Sequence, residues 1–103
     1  MAEKVLAGTS VSVNAEGYFE NPAQWNKEMA TEMAREYNIT LTDKHFAVLE
    51  FLRQRHLAGE QLTIRRVGNS GIVDIKELYQ LFPGGPLKIS SKLAGIPKPT
   101  SCV

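Results

Sequence analysis

Residues 21–38 read NPAQWNKEMATEMAREYN, and residues 42–59 read TDKHFAVLEFLRQRHLAG. These two stretches decide the fold class. In the first, Asn21 suits an N-cap and Pro22 the first helical position. Trp25, Met29 and Met33 then recur every four residues, joined by Ala30 and Tyr37, while Lys27, Glu28, Glu32 and Arg35 take the other side. That spacing predicts one amphipathic helix running to Tyr37, with Asn38 as its stop. The methionines read as core packing rather than a cofactor box. In the second stretch Thr42 opens a helix through His56, closed by Ala58-Gly59. Phe46, Leu49 and Leu52, widened by Val48 and Phe51, form its buried face. His45 and His56 are eleven residues apart, too far to share a face as metal ligands, and His45 reads as a surface or half-buried helix residue.

On the N-terminal side, Val11 and Val13 alternate with Ser12. A turn over residues 14–17 and then Tyr18-Phe19 complete a compact strand signal. Two short strands are marginal alone, so a hairpin here must rest on the helices. On the C-terminal side, residues 60–72 read as a short helix and a loop. Asp74 and Glu77 have capping-box spacing, with Ile75, Leu78, Tyr79 and Phe82 as the apolar face. Pro83-Gly84-Gly85-Pro86 stops that helix. A last one is expected from Leu87 to Ala94, with Gly95 as its terminating glycine. The expected fold is therefore mainly α. It is a small orthogonal helical bundle with an N-terminal β-hairpin and a mobile C-terminal arm. One domain covers residues 1–103, divided into a hairpin region 1–20, a helical body 21–83 and an arm 84–103.

Composition narrows the function. The 103 residues carry a net charge of +1 and one cysteine. One cysteine excludes an internal disulfide framework, a Cys-based zinc cage and a CxxC redox pair. No apolar run approaches the roughly 20 residues that span a bilayer, and the N-terminus has no long apolar h-region; a cytoplasmic protein is expected. No nucleophile elbow, phosphate-cradling loop or dinucleotide fingerprint is present, so no cofactor or metal is implied. The charge is unevenly placed. Residues 84–103 hold three lysines and no acid, whereas the rest of the chain sums to −2.

That basic tail carries the lone thiol, and with Pro83 just before it the last 21 residues hold four of the five prolines. Pro97 and Pro99 around Lys98 favour an extended segment that presents Cys102 away from the body. An accessible thiol is a reactive one where thiolate character allows; Lys92 and Lys98 favour the thiolate and the Val103 carboxylate opposes it. Read without function, the same features are an incidental cysteine in a frayed end. Leu93 and Ile96, which are built to dock, argue against that. Arg65-Arg66, with helix–turn–helix character over 63–82, is the one hint of DNA binding. The presumed recognition helix sets Lys76 against Asp74 and Glu77, too few cations for useful phosphate contact. A solvated face, or contact with an acidic protein partner, suits the arginine pair better, and Lys92 is a further candidate partner contact.

The run Leu81-Phe82-Pro83-Gly84-Gly85-Pro86, followed by Lys92 through Val103 (KLAGIPKPTSCV), closely resembles the C-terminal signature of the DsrC/TusE family of sulfur-carrier proteins. One branch of that family is also called the gamma subunit of dissimilatory sulfite reductase. Glu16-Gly17-Tyr18, Trp25, Leu41-Thr42, His45 and Phe51-Leu52-Arg53 are softer matches that extend the likeness over nearly the whole chain. Phe46 stands where the family usually has tryptophan, and the usual proline before Arg65 is missing.

The resemblance implies a persulfide shuttle. Cys102 would accept a sulfane sulfur by exchange chemistry and deliver it on an arm of about 10 extended residues, roughly 30 Å long. It implies sulfurtransferase donors and a sulfur-accepting enzyme as partners, either a tRNA-thiolation enzyme or sulfite reductase. Such a protein is a carrier rather than a free-standing catalyst. Branch members that act with sulfite reductase carry a second cysteine eleven positions before the last. Here that position is Ser91, whose oxygen has no equivalent exchange chemistry. The two-thiol cycle is closed and a TusE-like, one-thiol relay is expected. The alternative is a DsrC-like subunit or regulatory partner of sulfite reductase without two-cysteine chemistry; a small DNA-binding regulator is a third reading.

Overall fold

The computed structural model describes residues 2–99. Strands β1 (Ala2–Leu6) and β2 (Thr9–Val13) pair antiparallel, with Leu6 opposite Thr9 and Ala2 opposite Val13. The connecting residues Ala7 and Gly8 both have positive φ, 51° and 80°, the backbone a two-residue primed turn demands. The hairpin thus lies earlier than the strand signal indicated. Alanine at a positive φ gives almost no turn signature in a sequence. The expected turn at 14–17 does form, because Asn14 Oδ1 accepts from the N–H groups of Glu16 and Tyr18. It returns the chain only for a single bridge between Val13 and Phe19.

The hairpin rests on α1 (Lys27–Arg35). Leu6, Val11 and Val13 are buried beneath it, and Ala7 N–H donates to Glu32 Oε2 at 2.6 Å. The single helix expected from Asn21 to Tyr37 is in fact two. Asn21 caps a short 3-10 turn (Pro22–Gln24), Trp25 is extended, and Asn26 caps α1 by accepting from Met29 N–H at 2.9 Å. A second cap-forming side chain one residue after Trp25 offers the backbone an alternative to continuing. The break frees Trp25 to turn toward the C-terminal helix. Met29 and Met33 are 1% and 2% exposed, so the methionine stripe is core. Asn38 terminates α1 as expected, at φ 58°. Ile39 N–H bonds to Ala34 O and Asn38 N–H to Arg35 O, the Schellman pattern.

Helix α2 (Asp43–Leu57) runs through the centre, burying His45, Val48, Leu49 and Leu52. His45 is more deeply placed than its sequence context indicated, at 6% exposed. Its Nδ1 accepts from Thr42 N–H (3.1 Å), so Nε2 donates to Leu81 O (3.0 Å). Phe82 meets the ring edge-on at 5.2 Å. Helices α3 (Ile64–Gly68) and α4 (Ile75–Leu81) form as expected, α4 with its Asp74/Glu77 capping box. The expected four-residue apolar face of α4 is halved. Leu78 and Phe82 are buried, but Ile75 and Tyr79 are 44% and 46% exposed, because the short α3, whose Gly68 lies against Ile75, covers that side of the helix only in part.

After a Gly84-Gly85 turn at φ 94° and 150°, α5 (Pro86–Leu93) packs against α1, α2 and α4. Leu87, Leu93 and Ile96 are essentially inaccessible; burying each contributes about 1.5–3 kcal/mol. Within the span 84–103, residues 86–96 are therefore part of the packed body. No helix among the described residues is long and apolar enough to cross a membrane.

Candidate functional site

Four orphan carbonyls end every α-helix. At the end of α5 they fix where the tail departs. Gly95, at φ 69°, donates to Lys92 O, and Ile96 N–H donates to Ser91 O, both at 3.2 Å. The next two carbonyls are taken by side chains from elsewhere in the fold. Trp25 Nε1 donates to Leu93 O at 2.7 Å, and Arg53 Nη1 donates to Ala94 O at 2.9 Å. Arg53 Nη2 reaches Pro22 O at 3.0 Å, and the guanidinium lies 4.3 Å over the Trp25 ring. Burial pushes the Arg53 pKa below its ordinary value by desolvation, yet guanidinium remains cationic at neutral pH. Trp25 sits so close that a Cβ at Gly95 would collide with its Cδ1. Three residues remote in sequence thus form a clamp on one helix end.

Beyond the clamp, Pro97 and Lys98 are exposed and Pro99 is half-buried. Lys98 Nζ pairs with Glu16 at 3.0 Å, joining this segment to the turn after β2. A groove of about 500 Å³ runs beside it, lined by His56, Glu60, Leu62 and Pro97 through Pro99. Cys102, the expected sulfur-bearing residue, lies outside the described residues.

The other sequence-predicted positions separate. Ser91 faces the core, fully buried, and its Oγ has no hydrogen-bond partner among the described residues. A buried, unpaired hydroxyl costs about 1–3 kcal/mol, and the apolar surroundings suit a thiol better. Lys92 sits over Tyr18 at 5.1 Å and Tyr37 at 5.7 Å, with its ammonium held by ring faces. Arg65 and Arg66 are exposed on α3, and Arg66 pairs with Glu60 at 3.3 Å. Glu60 also lines the groove beside Pro97, so the arginine pair and the base of the tail share a border.

Arg53 and Gly95 lie in the stretches Phe51-Leu52-Arg53 and KLAGIPKPTSCV that carry the resemblance, but the sequence alone assigns neither of them a contact. Gly95 was legible as a helix terminator, whereas its contact with Trp25 depends on the break at Trp25-Asn26. Among the described residues no three His, Cys, Asp or Glu side chains come together as a metal site. What the arrangement builds is a rigid point of departure for a segment with a thiol near its end.

The profile of the family described as DsrC like protein matches residues 5–103. The sulfurtransferase TusE of Photorhabdus laumondii subsp. laumondii is 32% identical over 107 residues, covering 96% of each chain. Among solved structures, the DsrC of Allochromatium vinosum superposes with a TM-score of 0.80 at 33% identity, covering 98% of this chain and 97% of that one. The oxidised gamma subunit of dissimilatory sulfite reductase from Archaeoglobus fulgidus gives 0.81 at 26% identity, covering 99% and 100%.

Proposed function

This chain belongs to the DsrC-like family, and from that premise we propose that it is a cytoplasmic sulfur-relay carrier of the TusE type. The observation that carries the reading is the pairing of one thiol, Cys102, with a buried serine at position 91. A carrier of this kind needs one nucleophile and a fixed base from which to reach. The Cys102 thiolate attacks the outer sulfur of a donor persulfide. The new S–S bond makes Cys102 a persulfide, and the donor leaves as a thiolate. Repeating the exchange with an acceptor thiolate returns Cys102 to its starting state, with no net oxidation. A disulfide between two arm positions has no part in this cycle, because Ser91 offers oxygen where sulfur is required.

The clamp on α5 supports delivery. Lost orientation is a large part of the barrier to a bimolecular step. Fixing Leu93 through Ile96 gives the chain that leads to Cys102 a defined starting point and direction. Pro97, Lys98 and Pro99 position the arm, and Lys92 stiffens the helix it leaves. The donors are sulfurtransferases and the acceptor is a tRNA-thiolation enzyme. The likeness to sulfite reductase gamma subunits favours a second reading, a bound subunit without two-cysteine chemistry. Mixing the protein with a persulfide-loaded sulfurtransferase separates them. The carrier gains about 32 Da per sulfur on the C-terminal peptide, whereas a purely structural subunit gains nothing.

A further inference from the structure

Phe51, Arg55, Glu60, Thr63, Arg65 and Arg66 line a cleft of about 570 Å³ between the end of α2 and the start of α3. Its three arginines face one acid. Glu60 Oε2 meets Arg55 Nη1 at 2.9 Å, and Glu60 Oε1 meets Arg66 Nη1 at 3.3 Å. One internal carboxylate is therefore already divided between two guanidiniums, and Arg65 adds a third cation beside it.

We infer that this cleft is the docking site for an acidic side chain of a protein partner, and that Glu60 occupies it as an internal competitor. The geometry recognises a carboxylate, since a carboxylate is what the fold itself places there. Arginine is the side chain suited to such forked contacts. A polyanion fits less well. For a nucleic acid, two or three cations neutralise too few phosphates for stable binding, and the whole chain carries only +1.

Glu60 also borders the groove formed with Pro97, Lys98 and Pro99. A partner whose carboxylate displaces Glu60 is thereby seated next to the departing tail. The inference rests on the carrier reading in one respect: a relay protein must meet protein partners.

The test uses the full chain, labelled with 15N, titrated with a capped hexaglutamate peptide, with a hexauridylate oligonucleotide run in parallel. The peptide shifts the amides of residues 60–70 and the side-chain N–H signal of Arg65 in a saturable way. The double variant Arg65→Ala/Arg66→Ala weakens that binding at least fivefold. Glu60→Gln strengthens it about threefold, the scale of one exposed ion pair. Arg35→Ala, on α1, leaves it unchanged. The gain in Glu60→Gln separates a lost competitor from general damage, because misfolding only loses binding.

Three results overturn the inference. They are shifts that ignore the double variant, weaker peptide binding in Glu60→Gln, and hexauridylate moving the same signals at lower concentration than the peptide. Persulfide loading of Cys102 by a small-molecule persulfide is measured separately by mass, so the cleft and the carrier reading fail independently.

Discussion

Trp25 donates its indole N–H to the carbonyl of Leu93 at 2.7 Å, across 68 residues of sequence. The bond joins the break between the 3-10 turn and α1 to the last residue of α5. Arg53 completes it by stacking on the same indole and taking the next carbonyl. The tail that carries Cys102 begins at this junction.

Gly95 is the tightest point of the junction. Gly95→Ala places a Cβ against Trp25 and strains a left-handed backbone. Overpacking of about 1–3 kcal/mol adds to about 1–2 kcal/mol for the backbone. Urea unfolding is expected to show a loss of about 2–5 kcal/mol, with a shift in Trp25 fluorescence. A stability within 0.5 kcal/mol of wild type, about the noise of a neutral surface change, would contradict the close approach.

Arg53→Ala leaves the Ala94 and Pro22 carbonyls without their donor, a cost of about 1–3 kcal/mol. Arg53→Lys restores charge but not the planar fork that reaches both carbonyls and lies on the indole. Thermal denaturation is expected to rank wild type above Arg53→Lys and Arg53→Lys above Arg53→Ala. Full rescue by lysine would show that charge alone matters here.

Ser91→Ala removes a buried hydroxyl that has no partner among the described residues. It is expected to raise stability by about 1 kcal/mol, read from the denaturation midpoint at unchanged m-value. Ser91→Cys is expected to be tolerated for the same reason, and to form an intramolecular disulfide with Cys102 under mild oxidation. Absence of that bond by mass and gel mobility would place position 91 beyond the reach of the tail.

His45 links the start of α2 to the end of α4. His45→Ala loses the bond to Leu81 O and the edge contact with Phe82, and half of the capping box. A loss of about 2–3 kcal/mol is expected by chemical denaturation, from one buried hydrogen bond and the ring contact. An unchanged midpoint would make the link incidental.

The helices were legible because their signals are local. Thr42 and Asp74 open helices with capping side chains, Gly59 and Gly95 close them at positive φ, and the structure uses each as its sequence suggests. The misplaced features depend on distant partners. Ala7 holds a positive φ in a turn whose N–H is satisfied by Glu32, far along the chain. The break at Trp25 becomes favourable once the indole finds Leu93 O. Ile75 and Tyr79 fit a helical stripe, but among the described residues they are only partly covered, Ile75 by Gly68 of the short α3. At the site, the thiol, its prolines and Ser91 were readable as a motif. The Arg53 clamp and the division of Glu60 between Arg55 and Arg66 come from tertiary packing, to which periodicity is blind.

The central claim is that Cys102 carries sulfur alone. The direct measurement is the intact mass of the full chain after incubation with a persulfide-loaded sulfurtransferase, followed by peptide mapping. Wild type and Ser91→Ala are expected to gain about 32 Da per sulfur on the peptide ending at Val103, and Cys102→Ala nothing. The label should pass on to an acceptor thiol. An unlabelled wild-type chain, under conditions that load a known carrier, would contradict the relay.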